Sequence, residues 1–194
     1  MPNRKGSRGR WTPPAKNRLQ LKMTLQYVRP AIWRRIVVPD NLSLGELHWV
    51  VQTAMGWTNS HLHSFRVGTD EYGPVGGDMG LEEPARDEDG VFLRRLIRRK
   101  GQKSTYEYDF GDGWRHEILV EKIEPAAEPH APPVCLAGKR ACPPEDCGGP
   151  PGFENVLRAL KKAPTEEDRE LRESVGDYDP DAFDPEAVNR VLRT

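Results

Sequence analysis

Leu19, Leu21, Met23, Leu25 and Tyr27 alternate with Gln20, Lys22, Thr24 and Gln26. A period of two buries one face of a strand and wets the other, so residues 19–28 are predicted as a half-buried strand. Pro30 interrupts, and residues 31–38 resume with Ile32, Arg34, Ile36 and Val38 on one side and Trp33, Arg35 and Val37 on the other, closing at Pro39. The short Arg29-Pro30 turn makes this second strand antiparallel to the first. The period then changes. Leu44, Leu47, Val51 and Met55 recur at helical spacing, Asn41 or Ser43 offers a cap, and Glu46 lies three residues after Ser43, completing a capping box. A helix over 44–55 that stops at Gly56 follows. Two strands and a helix packed on them open a β-grasp-like α+β domain.

Residues 61–68 read as a third strand, while residues 70–89, rich in Gly, Pro and acids without periodicity, read as a loop or flexible insert. Residues 92–100 predict a short basic helix with Leu93, Leu96 and Ile97 inward. Residues 104–109 and 116–123 alternate on either side of Gly111-Asp112-Gly113, a hairpin signal because glycine supplies positive φ. A Pro/Gly-rich segment over 125–151 is expected to be irregular. Helices follow at 153–162, with Phe153, Val156, Leu157 and Leu160 on one face, at 166–174, and at 185–192 with Pro185 near its start. No internal repeat is visible. The predicted architecture is a single α+β domain over 18–194, a mostly antiparallel, β-grasp-like sheet with packed helices and a helical C-terminal region. Trp33, Trp49, Trp57 and Trp114 are expected in its core or covering its sheet.

Charge adds a feature that the pattern does not show. The formal net charge of -1 is distributed as +10 over residues 1–39, which hold no acid, -5 over 40–123 and -6 over 124–194. Arg4, Lys5, Arg8, Arg10, Lys16 and Arg18 stand among Gly, Ser, Asn and Pro, a composition that buries too little apolar area to order itself. Residues 1–17 are therefore expected to form a disordered basic arm, either a solubilising tail or a weak contact for nucleic acid through counterion release. No apolar run reaches the ~18 to 20 residues of a membrane span, and the N-terminus lacks an apolar leader core, so a cytoplasmic location and no membrane partner are expected.

Several longer segments point to a family. RPAIWRRIVVP, the Gly56-Trp57 that precedes His61-Leu62-His63-Ser64-Phe65, YEYDFGDGWRHEI, CLAGKRACPPEDCGGPPGF and DYDPDAFDPEAVNRVL occur in this order. In order and spacing the chain resembles the plasmid Ri open-reading-frame-three-like family, whose members include passenger proteins of some insertion sequences. The resemblance covers nearly the whole chain from Leu19. It implies an α+β domain, an association with mobile DNA and no established activity. Some members carry a resolvase-like name, but this chain has no serine-recombinase pattern, and fold and gene context do not determine chemistry.

Four groups of residues carry candidate chemistry. Asp109 and Asp112, with His116 beyond them, offer oxygen and nitrogen ligands to Mn or Zn or a general base; alternatively Asp112 and the glycines build the turn while Asp109 bonds backbone amides. His61 and His63 share one face if both lie on a strand, a metal half-site, with His48 on the preceding helix. Cys135, Cys142 and Cys147 could hold zinc with His130 or His116, though no CxxC knuckle is present; the prolines of the Cys142–Cys147 loop instead suggest a stiff loop whose Glu145 and Asp146 brace Arg140. Arg94, Arg95, Arg98, Arg99, Lys100 and Lys103 could neutralise several phosphates, or form a solvated helix face. The expectation is a non-catalytic binding or accessory module of plasmid or transposon-type mobile DNA, without a cofactor and with DNA as a partner. The alternative is a metal-dependent phosphodiester hydrolase using Asp109, Asp112, His116 and the His61/His63 pair.

Overall fold

The computed structural model of the chain describes residues 13–75, 85–161 and 165–194. Strands β1 (Asn17–Leu25), β2 (Trp33–Pro39), β3 (His63–Val67), β4 (Asp70–Gly73), β5 (Arg86–Asp87), β6 (Lys103–Tyr108), β7 (Trp114–Pro125) and β8 (Val134–Lys139) form one sheet. Its order is β5-β4-β3-β6-β7-β1-β2-β8, and the β4–β5 pair alone is parallel among the described residues. Helices α1 (Leu44–Met55), α2 (Leu93–Leu96), α3 (Gly149–Lys161), α4 (Glu166–Val175) and α5 (Pro185–Leu192) complete the α+β architecture.

The alternation read along β1 is the one the core uses. Leu19, Leu21, Met23 and Leu25 are buried, as are Ile36 and Val38 of β2 and Ile118 and Val120 of β7. β1 lies between β2 and β7, with Leu21 opposite both Ile36 and Val120. Helix α1 closes over this face with Leu44, Leu47, Val51 and Ala54. Its capping box forms as predicted: the Ser43 hydroxyl accepts from the Glu46 amide while the Glu46 carboxylate accepts from the Ser43 amide. Gly56 ends the helix at φ 97°, where a side chain would be strained.

The last turn of α1 carries no basic residue. Arg34 of β2 supplies the missing charge from below, its Nε donating to the Ala54 carbonyl at 2.7 Å and its Nη1 to those of Trp33 and Lys139. The ring of Phe183 lies 3.9 Å from its guanidinium carbon. The opposite face of the sheet stays wet. Arg35–Glu121, Lys103–Glu117, Arg115–Glu107 and Arg66–Glu71 run across it as ion pairs. The last three, whose cations are exposed, contribute about 0 to 1 kcal/mol each, so their effect is solubility and register more than stability.

Where the fold departs from the pattern, a local reason is visible. β4 and β5 lie inside the stretch expected as a loop, joined to the sheet by backbone pairing with Tyr72 as their main buried side chain. β8 falls inside the segment expected to be irregular, an edge strand that turns Cys135 inward and leaves Leu136 exposed. α2 is one turn, because the Gln102 side chain takes the Leu96 carbonyl and the Arg98 amide that a longer helix would have used. α3 starts at Gly149, ahead of the expected 153. Trp57 and Trp114 are buried, but Trp49 is exposed on α1.

The expected arm over residues 1–17 falls largely outside the described residues, but its last part is tied in. The Ala15 amide donates to Pro129, and the Asp40 carboxylate accepts from the amides of Lys16 and Asn17. The buried Asp40 carboxylate, by gathering these donors, holds residues 16 and 17 against the domain.

Candidate functional site

The ladder that pairs β3 with β6 sets His63 opposite Tyr108. It continues one step further, the Asp109 amide donating to the Leu62 carbonyl at 2.9 Å, and so draws His61 beside Asp109. The chain then reverses. Asp109 adopts φ 54°, and its Oδ1 accepts from the amides of Gly111 and Asp112, so Asp109 rather than Asp112 holds the turn. Asp112 faces elsewhere: its Oδ2 accepts from the Gly148 amide and ties the turn to the cysteine-containing loop.

That loop, residues 142–148, is fastened at several points. The Trp57 indole donates to the Pro143 carbonyl, and the Tyr178 hydroxyl to that of Cys142. Glu145 accepts from the Thr58 amide and hydroxyl and from the Tyr108 hydroxyl. Gly149 packs so closely on the Asp112 carbonyl that a Cβ there would collide with it. The loop therefore comes to rest against the hairpin turn. His61 Nε2 ends 3.1 Å from Asp146 Oδ1, 3.7 Å from Asp109 Oδ2 and 3.9 Å from Glu145 Oε2. Among the described residues, His61, Asp109 and Asp146 are the one group of three His, Cys, Asp or Glu with ligand atoms all within 4.8 Å of one another.

The other predicted ligands lie elsewhere. His61 precedes β3 instead of sharing a strand face with His63, so the two-histidine half-site does not form. His63 sits 2.8 Å from Glu88 and stacks on His48 at 3.5 Å. Burial and the neighbouring His63 push His48 down to about 3, so its ring is neutral. Because Gln52 donates to the Tyr106 hydroxyl, that hydroxyl is free to donate to His48 Nδ1, leaving His48 Nε2–H to donate to Asn59. His116 is sealed beneath Trp57 and Tyr106, and burial pushes it down to about 4, with the Arg34 charge adding to the effect. It is a core side chain.

The three cysteines make no ligand cluster among the described residues. Burial raises all their pKa values, that of Cys147 to about 12, so they are neutral thiols. Arg140 pairs with Asp181, so Glu145 and Asp146 do not brace it. Sequence reasoning does not find those two carboxylates as partners of His61. The stiffening prolines of their loop are visible in sequence, but its landing point beside the hairpin is not.

The basic candidates divide as well. Lys103 is engaged by Glu117 at 2.8 Å. Arg95, Arg98, Arg99 and Lys100 are exposed and have no ion pair among the described residues. Arg94 lies over the Phe92 ring and donates to the Pro14 carbonyl at 3.3 Å, so the described chain begins against the basic cluster.

A family model described as plasmid pRiA4b ORF-3-like protein matches residues 17–187. The chain belongs to this family. Within the curated proteins it is 40% identical over 177 residues to the uncharacterized protein y4hQ of Sinorhizobium fredii, covering 90% of each chain. Among solved structures it matches a protein of unknown function, MM3350, from Methanosarcina mazei Go1, with a TM-score of 0.79 and 37% identity over 89% of this chain and 97% of that one. The fold is thus shared with the Methanosarcina mazei protein. None of the described helices is long and apolar enough to cross a membrane.

Proposed function

We propose that this protein is a non-catalytic binding module that grips the sugar-phosphate backbone of nucleic acid, as an accessory of plasmid or transposon-type mobile DNA. The observation that carries the reading is the hydrogen bond between Arg94 and the Pro14 carbonyl. It brings the residues after Arg4, Lys5, Arg8 and Arg10 in the chain to α2 and the segment that follows it, where Arg95, Arg98, Arg99 and Lys100 are exposed. Basic residues without carboxylate partners gain most from phosphate, because binding releases condensed counterions and breaks no existing ion pair. The plasmid association in the family description supports the mobile-DNA context.

Fluorescence anisotropy with DNA duplexes of unrelated sequence tests this. Affinities should be similar between sequences and fall linearly on a plot of log affinity against log salt. Substituting Arg95, Arg98 and Arg99 by Gln should flatten the slope by about 0.9 for each phosphate that is no longer neutralised. Absence of binding at low salt, or binding indifferent to salt, rejects the reading. A phosphodiester hydrolase is the second reading, favoured only by the His61, Asp109 and Asp146 group. Manganese-dependent cleavage that disappears in His61→Ala would replace the first with it.

A further inference from the structure

We infer that His61, Asp109 and Asp146, with Glu145 alongside, form a binding site for one divalent transition-metal ion of the manganese or zinc class. The distances suit such an ion. Tetrahedral bonds of about 2.1 Å place ligand atoms about 3.4 Å apart, and the His61 Nε2 distances of 3.1 and 3.7 Å to the two aspartates bracket that value. The electrostatics also call for a cation. Three carboxylates converge, and among the described residues their one ion-pair partner is His61.

Two atoms point into the middle of the group. His61 Nε2 is shielded from solvent and makes no hydrogen bond, although carboxylate oxygens surround it. Asp109 is 6% exposed, and both amides that it binds donate to Oδ1, leaving Oδ2 turned towards His61. The surrounding groups hold the ligands in place as metal sites require: backbone amides orient Asp109, and Thr58 and Tyr108 orient Glu145. The Asp146 side chain is 75% exposed, so one side of the ion would face water, as in sites that keep an open position. One nitrogen among carboxylate oxygens suits Mn²⁺ or Zn²⁺ better than a softer ion.

The test is calorimetric titration of the chelator-treated full chain with Mn²⁺ and, separately, with Zn²⁺, the fold of each variant being checked by circular dichroism. One ion per chain is expected for the wild type. Affinity should fall at least about tenfold in His61→Ala and in Asp146→Asn, since loss of a ligand costs no less than loss of a group behind one. Asp146→Asn is the safer variant, because its exposed side chain pairs only with His61 among the described residues. Cys147→Ser should bind as the wild type does. Failure to bind either ion stoichiometrically, binding undiminished in both site variants, or zinc binding that follows Cys147 and not His61 overturns the proposal. None of these residues belongs to the basic cluster, so the result is independent of the nucleic-acid reading.

Discussion

Asp109 has two duties whose consequences can be separated at the level of one residue. Its Oδ1 holds the hairpin turn through the amides of Gly111 and Asp112, and its backbone sits at φ 54°, a region that Asn and Asp tolerate far better than Ala. Asp109→Asn keeps an oxygen acceptor and the conformational tolerance, so we expect a stability change below about 1 kcal/mol. Asp109→Ala removes the oxygen that serves two amides and leaves the positive φ to a residue that resists it, so denaturant unfolding should show a destabilisation of about 2 to 4 kcal/mol. Similar midpoints for the two variants would show that the side-chain oxygen does not support the turn. Asp112, to which the sequence pattern assigns the turn, reaches Gly148 from a more exposed position, and its replacement by Ala should cost less than that of Asp109. The sequence could not separate the two acids, because both fit a Gly-rich turn and the choice depends on which one the ladder from Leu62 delivers to the corner.

At the scale of elements, legibility followed burial. β1, α1 and α5 were readable to within a few residues because each carries a full amphipathic period or cap, which the core then uses. β4, β5 and β8 were not, because each is short and pairs mainly through the backbone at or near an edge of the sheet. β8 shows how such an edge is protected. On its free side the Cys135 amide and carbonyl are both taken by one side chain, the Asn189 amide of α5, at 2.7 and 2.9 Å. Asn189 thus imitates a neighbouring strand for one residue and blunts the edge. Asn189→Ala would leave a buried donor and acceptor without partners, at about 1 to 3 kcal/mol each. We expect a clear fall in the unfolding midpoint, with amide exchange at Cys135 accelerating more than at Leu21. Unchanged protection at Cys135 would mean that Asn189 is not what shields this edge.

Across the whole molecule, the candidate site was half legible. His61 and Asp109 stood out as metal-ligating types near a strand and a turn, but Asp146 reaches them only through a loop whose docking depends on Trp57, Tyr178 and Gly149 together. His116, attractive by its nearness to the turn, points the other way because β7 places it on the core face beside Trp114 and Ile118. That placement has a consequence for the molecule's response to acid. His48 and His116 are held at about 3 and about 4, mainly by burial, whereas an unfolded histidine titrates near 6.5. Below pH of about 6.5 the unfolded chain therefore takes up protons that the folded chain refuses. Their contribution is complete above that pH and is lost as pH falls towards about 4 for His116 and about 3 for His48, each group steepening the loss by up to about 1.4 kcal/mol per pH unit. Carboxylates that titrate over the same range blur this slope in the wild type but cancel in a comparison with His116→Phe. Phe is suited to the site because His116 is fully buried and its neighbours Trp57 and Tyr106 are aromatic. Between about pH 6 and pH 4.5 the unfolding free energy of His116→Phe should fall less steeply than that of the wild type by roughly 1 kcal/mol per pH unit. Parallel curves would show that His116 takes up its proton equally in the folded and the unfolded chain, and so is not sealed from water in the folded protein.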